Sequence, residues 1–283
     1  MTEPPPRDIA LALAAAADRI GACAGRISYV ATASSTNDMA LRLAAAGADD
    51  GTTVLAGGQT AGRGRQGRRW FSPPGAGLYF SLVLRGGPPA PVTLMAGVAV
   101  AEGVRAATGL PAEIEWPNDV VVRSPPAPRP GGGARKLAGV LTEASRLRGV
   151  ADAVVVGIGI NIERVGYPAE VARRASSLAA EVDGPVDRAA VLVEVLAALT
   201  RWRRVLAEGG SRRMLARWEE LAPASRGAVV AWSGTGGRRS GVTAGIDGDG
   251  ALLVRSGDGL ERLVAGEIHW LATPGRGADT GEG

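Results

Sequence analysis

The chain has 283 residues, 46% of them hydrophobic, and its 32 Lys and Arg against 28 Asp and Glu give a net charge of +4. This composition excludes collagen, coiled coils, disulfide miniproteins and disordered chains, and so mild a charge does not by itself indicate nucleic-acid binding. The single cysteine and the single histidine exclude an internal disulfide and a closed Cys/His zinc site, so we expect a reducing, cytoplasmic location.

The N-terminal part of the chain predicts two helices and a strand. Its first residues lack the basic segment of a signal peptide, and no apolar run approaches the roughly 20 residues of a membrane-spanning helix. Residues 8–22 have a weak helical pattern, whereas residues 34–37 offer capping side chains for a better marked helix that ends at Gly47. Residues 52–56 then predict a strand.

A glycine-rich basic loop, residues 57–70, follows this strand and contains Arg63, Arg65, Arg68 and Arg69. Its G-x-G-x-x-G pattern is typical of a dinucleotide-binding turn, but the Trp-Phe-Ser-Pro-Pro sequence after it cannot begin the helix that such a turn requires. Guanidinium groups bind phosphate or carboxylate in bidentate fashion, so the loop is a candidate anion site. A solvated basic loop or a nonspecific nucleic-acid patch is the alternative.

The middle of the chain predicts a sheet with helices. Residues 78–84 predict a strand and residues 94–107 an apolar helix. Four short strand-like runs follow without intervening helices, which favours antiparallel pairing. These runs cover residues 114–116, 120–122, 137–144 and 154–162. Between the second and the third, the Pro- and Gly-rich residues 124–135 are expected to form a mobile hairpin loop.

The C-terminal part predicts two more helices and a small β unit. Residues 188–206 and 212–221 have helical spacing. After Pro223 the pattern changes to short strands, which indicates a small all-β unit. These strands cover residues 228–232, 242–246, 251–254 and 263–270. The last residues, 274–283, are expected to be frayed.

Three further segments bring polar groups or a flat surface to the predicted strands. Asn118 and Asp119 follow a proline that interrupts a strand ladder, although an ordinary turn has the same sequence. Lys136 stands at the mouth of an apolar strand, a position where lysines are usually solvated. Gly157 and Gly159 leave one face of a buried strand flat enough for a ligand to approach, although glycines also mark bulges.

In their order and combination, these segments resemble the biotin protein ligase family over roughly residues 27–270. The motifs are Ser-Thr-Asn at 35–37, Gln-x-x-Gly-Arg-Gly-Arg-x-Gly-Arg-x-Trp at 59–70, Trp-Pro-Asn-Asp at 116–119, Lys-Leu-Ala-Gly at 136–139 and Gly-Ile-Gly-Ile-Asn at 157–161. The resemblance implies an α/β (α+β) fold: a mixed, largely antiparallel sheet with helices, like that of class II aminoacyl-tRNA synthetases, followed by a small SH3-like barrel. The implied divisions are an N-terminal helical segment (1–26), a catalytic domain (27–222), the SH3-like domain (223–272) and a flexible tail (273–283).

The resemblance also implies the chemistry. Such ligases use ATP and Mg²⁺ to activate biotin as biotinyl-5′-AMP and transfer it to one lysine of the biotin carboxyl carrier protein or domain of a biotin-dependent carboxylase. The implied catalytic residues are Lys136, Arg63 and Arg65. The implied biotin-binding residues are Ser35, Thr36, Asn37, Gln59, Gly62, Arg63, Arg65, Lys136, Gly139, Leu141, Gly157 and Gly159. The implied nucleotide-binding residues are Arg65, Arg68, Trp70, Asn118, Asp119, Lys136 and Asn161, and no metal ligand is assigned.

The chain departs from the family pattern at two places. A lysine usually precedes Trp-Pro-Asn-Asp, but here Glu115 stands there and removes a cation. The insertion 124–135 directly precedes Lys136. About 34 residues precede the Ser-Thr-Asn motif, too few for the DNA-reading domain of repressor members, so we expect a ligase without specific DNA or membrane binding. The alternatives are a lipoyl or octanoyl attachment enzyme, which shares the fold, and a nucleic-acid-binding protein that uses the basic loop.

Overall fold

The computed structural model describes most of the chain: residues 3–86, 89–123, 133–147, 150–234, 237–257, 259–264, 266 and 268–272. The helices are α1 (Arg7–Ala15), α2 (Ala17–Ile20), α3 (Thr36–Ala45), α4 (Pro89–Thr108), α5 (Ala169–Ala172), α6 (Leu178–Glu181), α7 (Arg188–Ala207) and α8 (Ser211–Leu221). The strands are β1 (Ile27–Val30), β2 (Thr53–Ala56), β3 (Gly77–Arg85), β4 (Glu113–Glu115), β5 (Asp119–Arg123), β6 (Ala134–Leu147), β7 (Val150–Asn161), β8 (Arg226–Gly234), β9 (Gly237–Ile246), β10 (Leu252–Ser256), β11 (Gly259–Leu263) and β12 (Ile268–Ala272). Within the described part of the chain, no helix is long and apolar enough to cross a bilayer.

Two sheets organise these elements. The larger has the strand order β1-β2-β3-β7-β6-β5-β4, with β1 and β2 parallel and the other neighbours antiparallel. The smaller has the order β11-β10-β9-β8-β12 and is antiparallel. This confirms the predicted fold class, a mixed and largely antiparallel sheet with helices that is followed by a small β unit.

The large sheet has a core face and a face that carries α3. On β7, Val156, Ile158 and Ile160 belong to the main apolar core, which also includes residues of α4 and α7. Successive side chains of a strand point to opposite faces, so Gly157 and Gly159 lie on the α3 face. Their missing side chains leave room above the sheet beside α3.

Helix α3 begins where the sequence predicts. The Ser35 hydroxyl accepts a hydrogen bond from the backbone N–H of Asp38 at 3.3 Å, which satisfies one of the free donors at the helix start. Ala40 and Ala44 are fully buried in a cluster with Val54 of the sheet, and their small side chains let the helix approach closely. The first turn of α3 therefore lies over the open part of the sheet.

Helices α4 and α7 pack closely at Gly103, where an added Cβ would lie 2.5 Å from Val195 Cγ2 and 2.7 Å from its backbone N. We expect Gly103→Ala to lower the free energy of unfolding by about 1–3 kcal/mol, because the helix backbones must separate. Gly97 of the same helix is the matched control, since its Cβ would stand in ordinary contact, 3.8 Å from Ile114. Gly97→Ala should be neutral or stabilising by up to about 1 kcal/mol through helix propensity. Equal midpoints of the two variants in urea unfolding would contradict this account of the interface.

The smaller sheet is joined to the larger one through Trp116, which follows β4. Its indole N–H donates a hydrogen bond to the backbone O of Gly250 at 3.0 Å. Gly250 has a positive φ of 84°, and a Cβ there would lie 2.4 Å from Leu94 of α4. The turn between β9 and β10 thus packs against the turn that carries the Trp-Pro-Asn-Asp motif.

The structure differs from the sequence prediction in several elements. The helical pattern at 8–22 is divided into α1 and α2, and α4 is longer than predicted. The predicted strand 263–270 overlaps only the end of β11 and the first residues of β12, and Gly266, with a φ of 128°, lies between these two strands. The end of the predicted loop 124–135 belongs to β6. Residues 124–132 and the predicted frayed end, 274–283, lie outside the described residues.

Candidate functional site

A cavity of about 290 Å³ opens on the α3 face of the large sheet. Its walls come from the start of α3, the basic loop, the β4–β5 turn, residues 167–175 and strand β12. The predicted site residues that line it are Ser35, Thr36, Asn37, Gln59, Arg63, Arg65, Arg68, Trp70, Asn118, Asp119, Lys136, Gly139, Leu141, Gly157, Gly159 and Asn161. Gly62 lies at the base of the loop, where a Cβ would be 2.7 Å from Ser72 Oγ. The fold therefore brings motifs from distant parts of the sequence to one cavity.

The floor of the cavity is made by glycines that two side chains cover. A Cβ on Gly157 would lie 1.9 Å from Asn37 Oδ1, and one on Gly159 would lie 2.3 Å from Trp70 Nε1. A Cβ on Gly139, which is paired with Gly159 across the sheet, would lie 3.0 Å from the Trp70 ring. The Trp70 indole thus lies directly on the sheet surface, and only residues without a side chain can stand beneath it.

One end of the cavity is polar and neutral. The backbone N and the hydroxyl of Thr36 donate to Gln59 Oε1 at 2.9 and 3.2 Å, and Gln59 Nε2 donates to Ser72 Oγ at 2.9 Å. The buried Ser81 hydroxyl lies 2.8 Å from Thr36 Oγ1 and 2.7 Å from Asn37 Oδ1. These hydroxyl and amide groups offer both donors and acceptors to a ligand.

Arg63 is held by two carboxylates at the edge of the cavity. Its guanidinium contacts Asp38 Oδ1 and Glu143 Oε1, each at 2.6 Å. Glu143 also accepts a hydrogen bond from Asn37 Nδ2 at 2.9 Å. The hydrogen bond to Asp38 and the charge of Glu143 raise the pKa of Arg63. The basic loop is therefore joined through Arg63 to both α3 and β6.

The other end of the cavity is cationic and contains the only lysine in the chain, Lys136. Its Nζ lies 2.6 Å from Asp119 Oδ1 and 5.1 Å from the centre of the Trp70 ring. The stem of Lys136 also approaches Gly139, whose Cβ would be 3.3 Å from Lys136 Cε. An anion that entered here would meet an ammonium group already aimed into the cavity.

Arg65 lies beside this lysine and donates a hydrogen bond to Asn118 Oδ1 at 3.2 Å. Asn118 is itself fixed to β6, because its Nδ2 donates to Val140 O at 2.7 Å and its backbone O accepts from Val140 N at 2.9 Å. Burial lowers the pKa of Arg65, but a guanidinium stays protonated at neutral pH. The Trp-Pro-Asn-Asp turn thus positions one cation through Asn118 and another through Asp119.

Asn161 contacts the segment that follows β7. Its Nδ2 donates to the backbone O of Ser176 at 2.8 Å and lies 3.4 Å from the backbone O of Lys136. The backbone N of Lys136 donates to Arg174 O at 2.6 Å. These bonds align residues 174–176 beside the start of β6 and fix the backbone of the lysine.

Glu115 is buried in the cavity wall between two arginines. Its carboxylate contacts Arg123 at 2.9 Å and Arg174 at 2.6 Å. Burial raises the pKa of Glu115, whereas the charges of Arg174 and Arg123 oppose that rise. The residue before the Trp-Pro-Asn-Asp motif is therefore a carboxylate that binds two cations.

Several residues of the site are absent from the sequence prediction: Ser72, Ser81, Glu143, Tyr167 and Arg174. The alternation of side chains along a strand could have identified two of them. Ser81 and Glu143 lie on the same face of the sheet as the glycines. Tyr167 and Arg174 belong to a segment without apolar periodicity, where the sequence carries no signal of what it contacts.

No cluster of three or more His, Cys, Asp or Glu side chains that could hold a metal ion occurs among the residues that the structure describes. Asp119 supplies a carboxylate at the cationic end. Mg²⁺ is usually bound through one or two carboxylates together with substrate phosphates and water. A single carboxylate such as Asp119 is compatible with a magnesium ion of this kind, which the phosphates of a ligand would share.

The chain is similar to known proteins over most of its length. Residues 29–161 match the biotin/lipoate A/B protein ligase family, and residues 235–269 match the biotin protein ligase C terminal domain. The biotin--[acetyl-CoA-carboxylase] ligase of Paracoccus denitrificans is 34% identical over 250 residues, which cover 85% of this chain and 99% of that protein. The bifunctional ligase/repressor BirA of Bacillus spizizenii is 33% identical over 249 residues, which cover 85% of this chain and 73% of that protein.

The chain is also similar in structure to a solved biotin protein ligase. The biotin protein ligase from Aquifex aeolicus in complex with biotin and ATP superposes with a TM-score of 0.73 at 28% identity. The match covers 88% of this chain and 100% of that one. The similarity thus extends across both sheets.

Proposed function

Because the chain belongs to the biotin protein ligase family and is a ligase, we propose that it activates biotin with ATP as biotinyl-5′-AMP. It then transfers the biotinyl group to one lysine of a biotin carboxyl carrier domain. The catalytic domain, residues 27–222, contains the residues assigned to both steps, and the SH3-like unit, 223–272, contributes one wall of the cavity through β12. A cytoplasmic location is part of this proposal, because a chain with a single cysteine suits a reducing compartment.

The polarity of the cavity carries this proposal. Biotin has a neutral ureido head with donors and acceptors, an apolar ring and chain, and a carboxylate tail. The neutral end around Thr36 and Gln59 suits the head, and the cationic end around Lys136 and Arg65 suits the tail. Between the two ends, Leu141 and the Trp70 indole that covers the glycines provide an apolar surface for the ring and chain.

In the first step, an oxygen of the biotin carboxylate attacks the α-phosphorus of ATP, the bond to the bridging oxygen breaks, and pyrophosphate leaves. The biotin carboxylate, the α-phosphate and the departing pyrophosphate are all anionic and meet in that transition state, so preorganised cations are the main source of catalysis. Lys136 bridges the carboxylate and the α-phosphate, while Arg65 and Arg68 face the phosphates. Asp119 and Asn118 are the groups that would hold a magnesium ion with the phosphates, where the ion would neutralise charge on the leaving group. Trp70 faces the adenine.

In the second step, the neutral amine of the carrier lysine attacks the acyl carbon of the adenylate, AMP leaves with the bonding electrons, and the nitrogen releases one proton to solvent. The mixed anhydride must be kept from water until the amine arrives. The basic loop, which is anchored through Arg63 and Trp70, covers the cavity and protects the anhydride.

Mass spectrometry of an acceptor protein tests this proposal. A purified biotin carrier domain is incubated with the ligase, MgATP and either biotin, lipoate or octanoate. We expect one added biotin mass per carrier domain and no addition of the other two acids. Addition of a lipoyl or octanoyl mass instead would mean that the chain is a lipoyl or octanoyl attachment enzyme. Retention on random oligonucleotides that falls steeply with salt, without any acyl transfer, would favour the nucleic-acid alternative.

A further inference from the structure

The departure from the family pattern at Glu115 has a structural counterpart on the facing segment. Glu115 is 2% exposed, and its two carboxylate oxygens bind the guanidinium groups of Arg123 and Arg174. Arg123 also lies 3.4 Å from Glu113, so two carboxylates and two guanidinium groups form one cluster. The cluster thus pairs two carboxylates with two guanidinium groups, so the buried Glu115 carboxylate has cationic partners on both of its oxygens.

The charge that this cluster presents to the cavity is positive. Glu115 and Arg174 line the cavity. The Glu115 side chain is only 3% exposed, whereas that of Arg174 is 54% exposed. A guanidinium has five N–H donors, and within the described part of the chain the Arg174 group donates to one side chain, that of Glu115. The buried carboxylate thus holds Arg174 in place and leaves most of its donors directed away from the anchor.

Arg174 is fixed next to Lys136. The backbone bond from Lys136 N to Arg174 O places the two residues side by side, and Ser176 N returns a bond to Lys136 O at 2.9 Å. The Lys136 side chain is 26% exposed and the Arg174 side chain is twice as exposed, so Arg174 lies nearer the mouth of the cavity. If the α-phosphate of ATP contacts Lys136, β- and γ-phosphates that extend toward the mouth would meet Arg174.

From this arrangement we propose that Arg174, positioned by Glu115, binds the β- and γ-phosphates of ATP and stabilises the departing pyrophosphate. The inference rests on the proposed function and assigns one of its contacts. Because the α-phosphorus–oxygen bond breaks with its electrons going to pyrophosphate, charge grows on this group in the transition state, where a fixed guanidinium has its largest effect.

The test is the biotin-dependent exchange of labelled pyrophosphate into ATP, which needs no carrier. For Arg174→Ala we expect the KM for ATP and for pyrophosphate to rise and kcat/KM for both to fall roughly tenfold or more, as is usual when a charge-assisted hydrogen bond that strengthens in the transition state is lost. The KM for biotin should change by less than about twofold. Arg173→Ala is the matched control, because Arg173 is the exposed neighbour outside the cavity lining. Its kinetic constants should equal those of the wild type.

A purely structural role for the pair gives a different result. In that case Arg174→Ala would lower the melting temperature and change the KM for biotin and for ATP together, and this outcome would overturn the inference. Glu115→Gln provides a second check, since it keeps the shape but weakens the anchor, and it should raise the KM for ATP less than Arg174→Ala does. Unchanged constants for ATP and pyrophosphate in an active Arg174→Ala enzyme would refute the inference and leave the proposed function intact. An inactive wild type would refute both.

Discussion

Lys136→Ala is expected to lower the rate of adenylate formation by at least about a hundredfold, the usual result of removing one preorganised charge from a transition state. Lys136 is the one ammonium group among 32 basic residues, all the others being arginines. Its Nζ is held at 2.6 Å by Asp119, which keeps it aimed into the cavity before substrates arrive. The measurement is the biotin-dependent pyrophosphate exchange rate at saturating ATP, with circular dichroism and thermal unfolding to show that the fold is intact.

Lys136→Arg separates charge from shape. Arginine keeps the positive charge, but its planar fork is longer than an ammonium group and needs more space beside Trp70. We therefore expect a rate between those of the wild type and Lys136→Ala. A wild-type rate for Lys136→Ala would remove the lysine from the mechanism.

Chemical modification offers a second measurement. Because the chain has no other lysine, acetylation by an amine-reactive reagent reports only on Lys136 and the N-terminus. Bound biotin and ATP should slow the acetylation of Lys136.

Local sequence signals predicted the elements on which the site is built. Ser35 caps α3 as its residue type and position indicate, and the alternation of β7 predicts a flat face at Gly157 and Gly159. These features depend on the chain neighbours of each residue. They are therefore visible in a single sequence.

Contacts between distant segments could not be read in the same way. The sequence predicts that the glycines leave space, but it does not indicate that Asn37 and Trp70 fill that space. It also predicts a cation in Arg63 without indicating that Asp38 and Glu143 bind it. Each of these pairs is brought together by the tertiary fold, and no local pattern encodes the partner.

Gly159→Ala is expected to reduce exchange activity by about a hundredfold while leaving the fold intact. The new methyl group would lie 2.3 Å from Trp70 Nε1 and 2.5 Å from Cε2, so the indole must move off the sheet. Trp70 faces Lys136 across 5.1 Å, and its displacement disturbs both the adenine contact and the position of the lysine. Misplacement of catalytic groups by about 1 Å can cost a hundredfold in rate.

Gly166→Ala is the matched control for this substitution. Gly166 lies in the segment after β7, and a Cβ there meets nothing within 4 Å, so its activity should equal that of the wild type. Circular dichroism and thermal unfolding of Gly159→Ala should stay close to the wild type, since Trp70 lies at the cavity rather than in the main core. Full activity in Gly159→Ala would mean that the indole can leave the sheet without loss, and the assignment of Trp70 to the adenine would then be wrong.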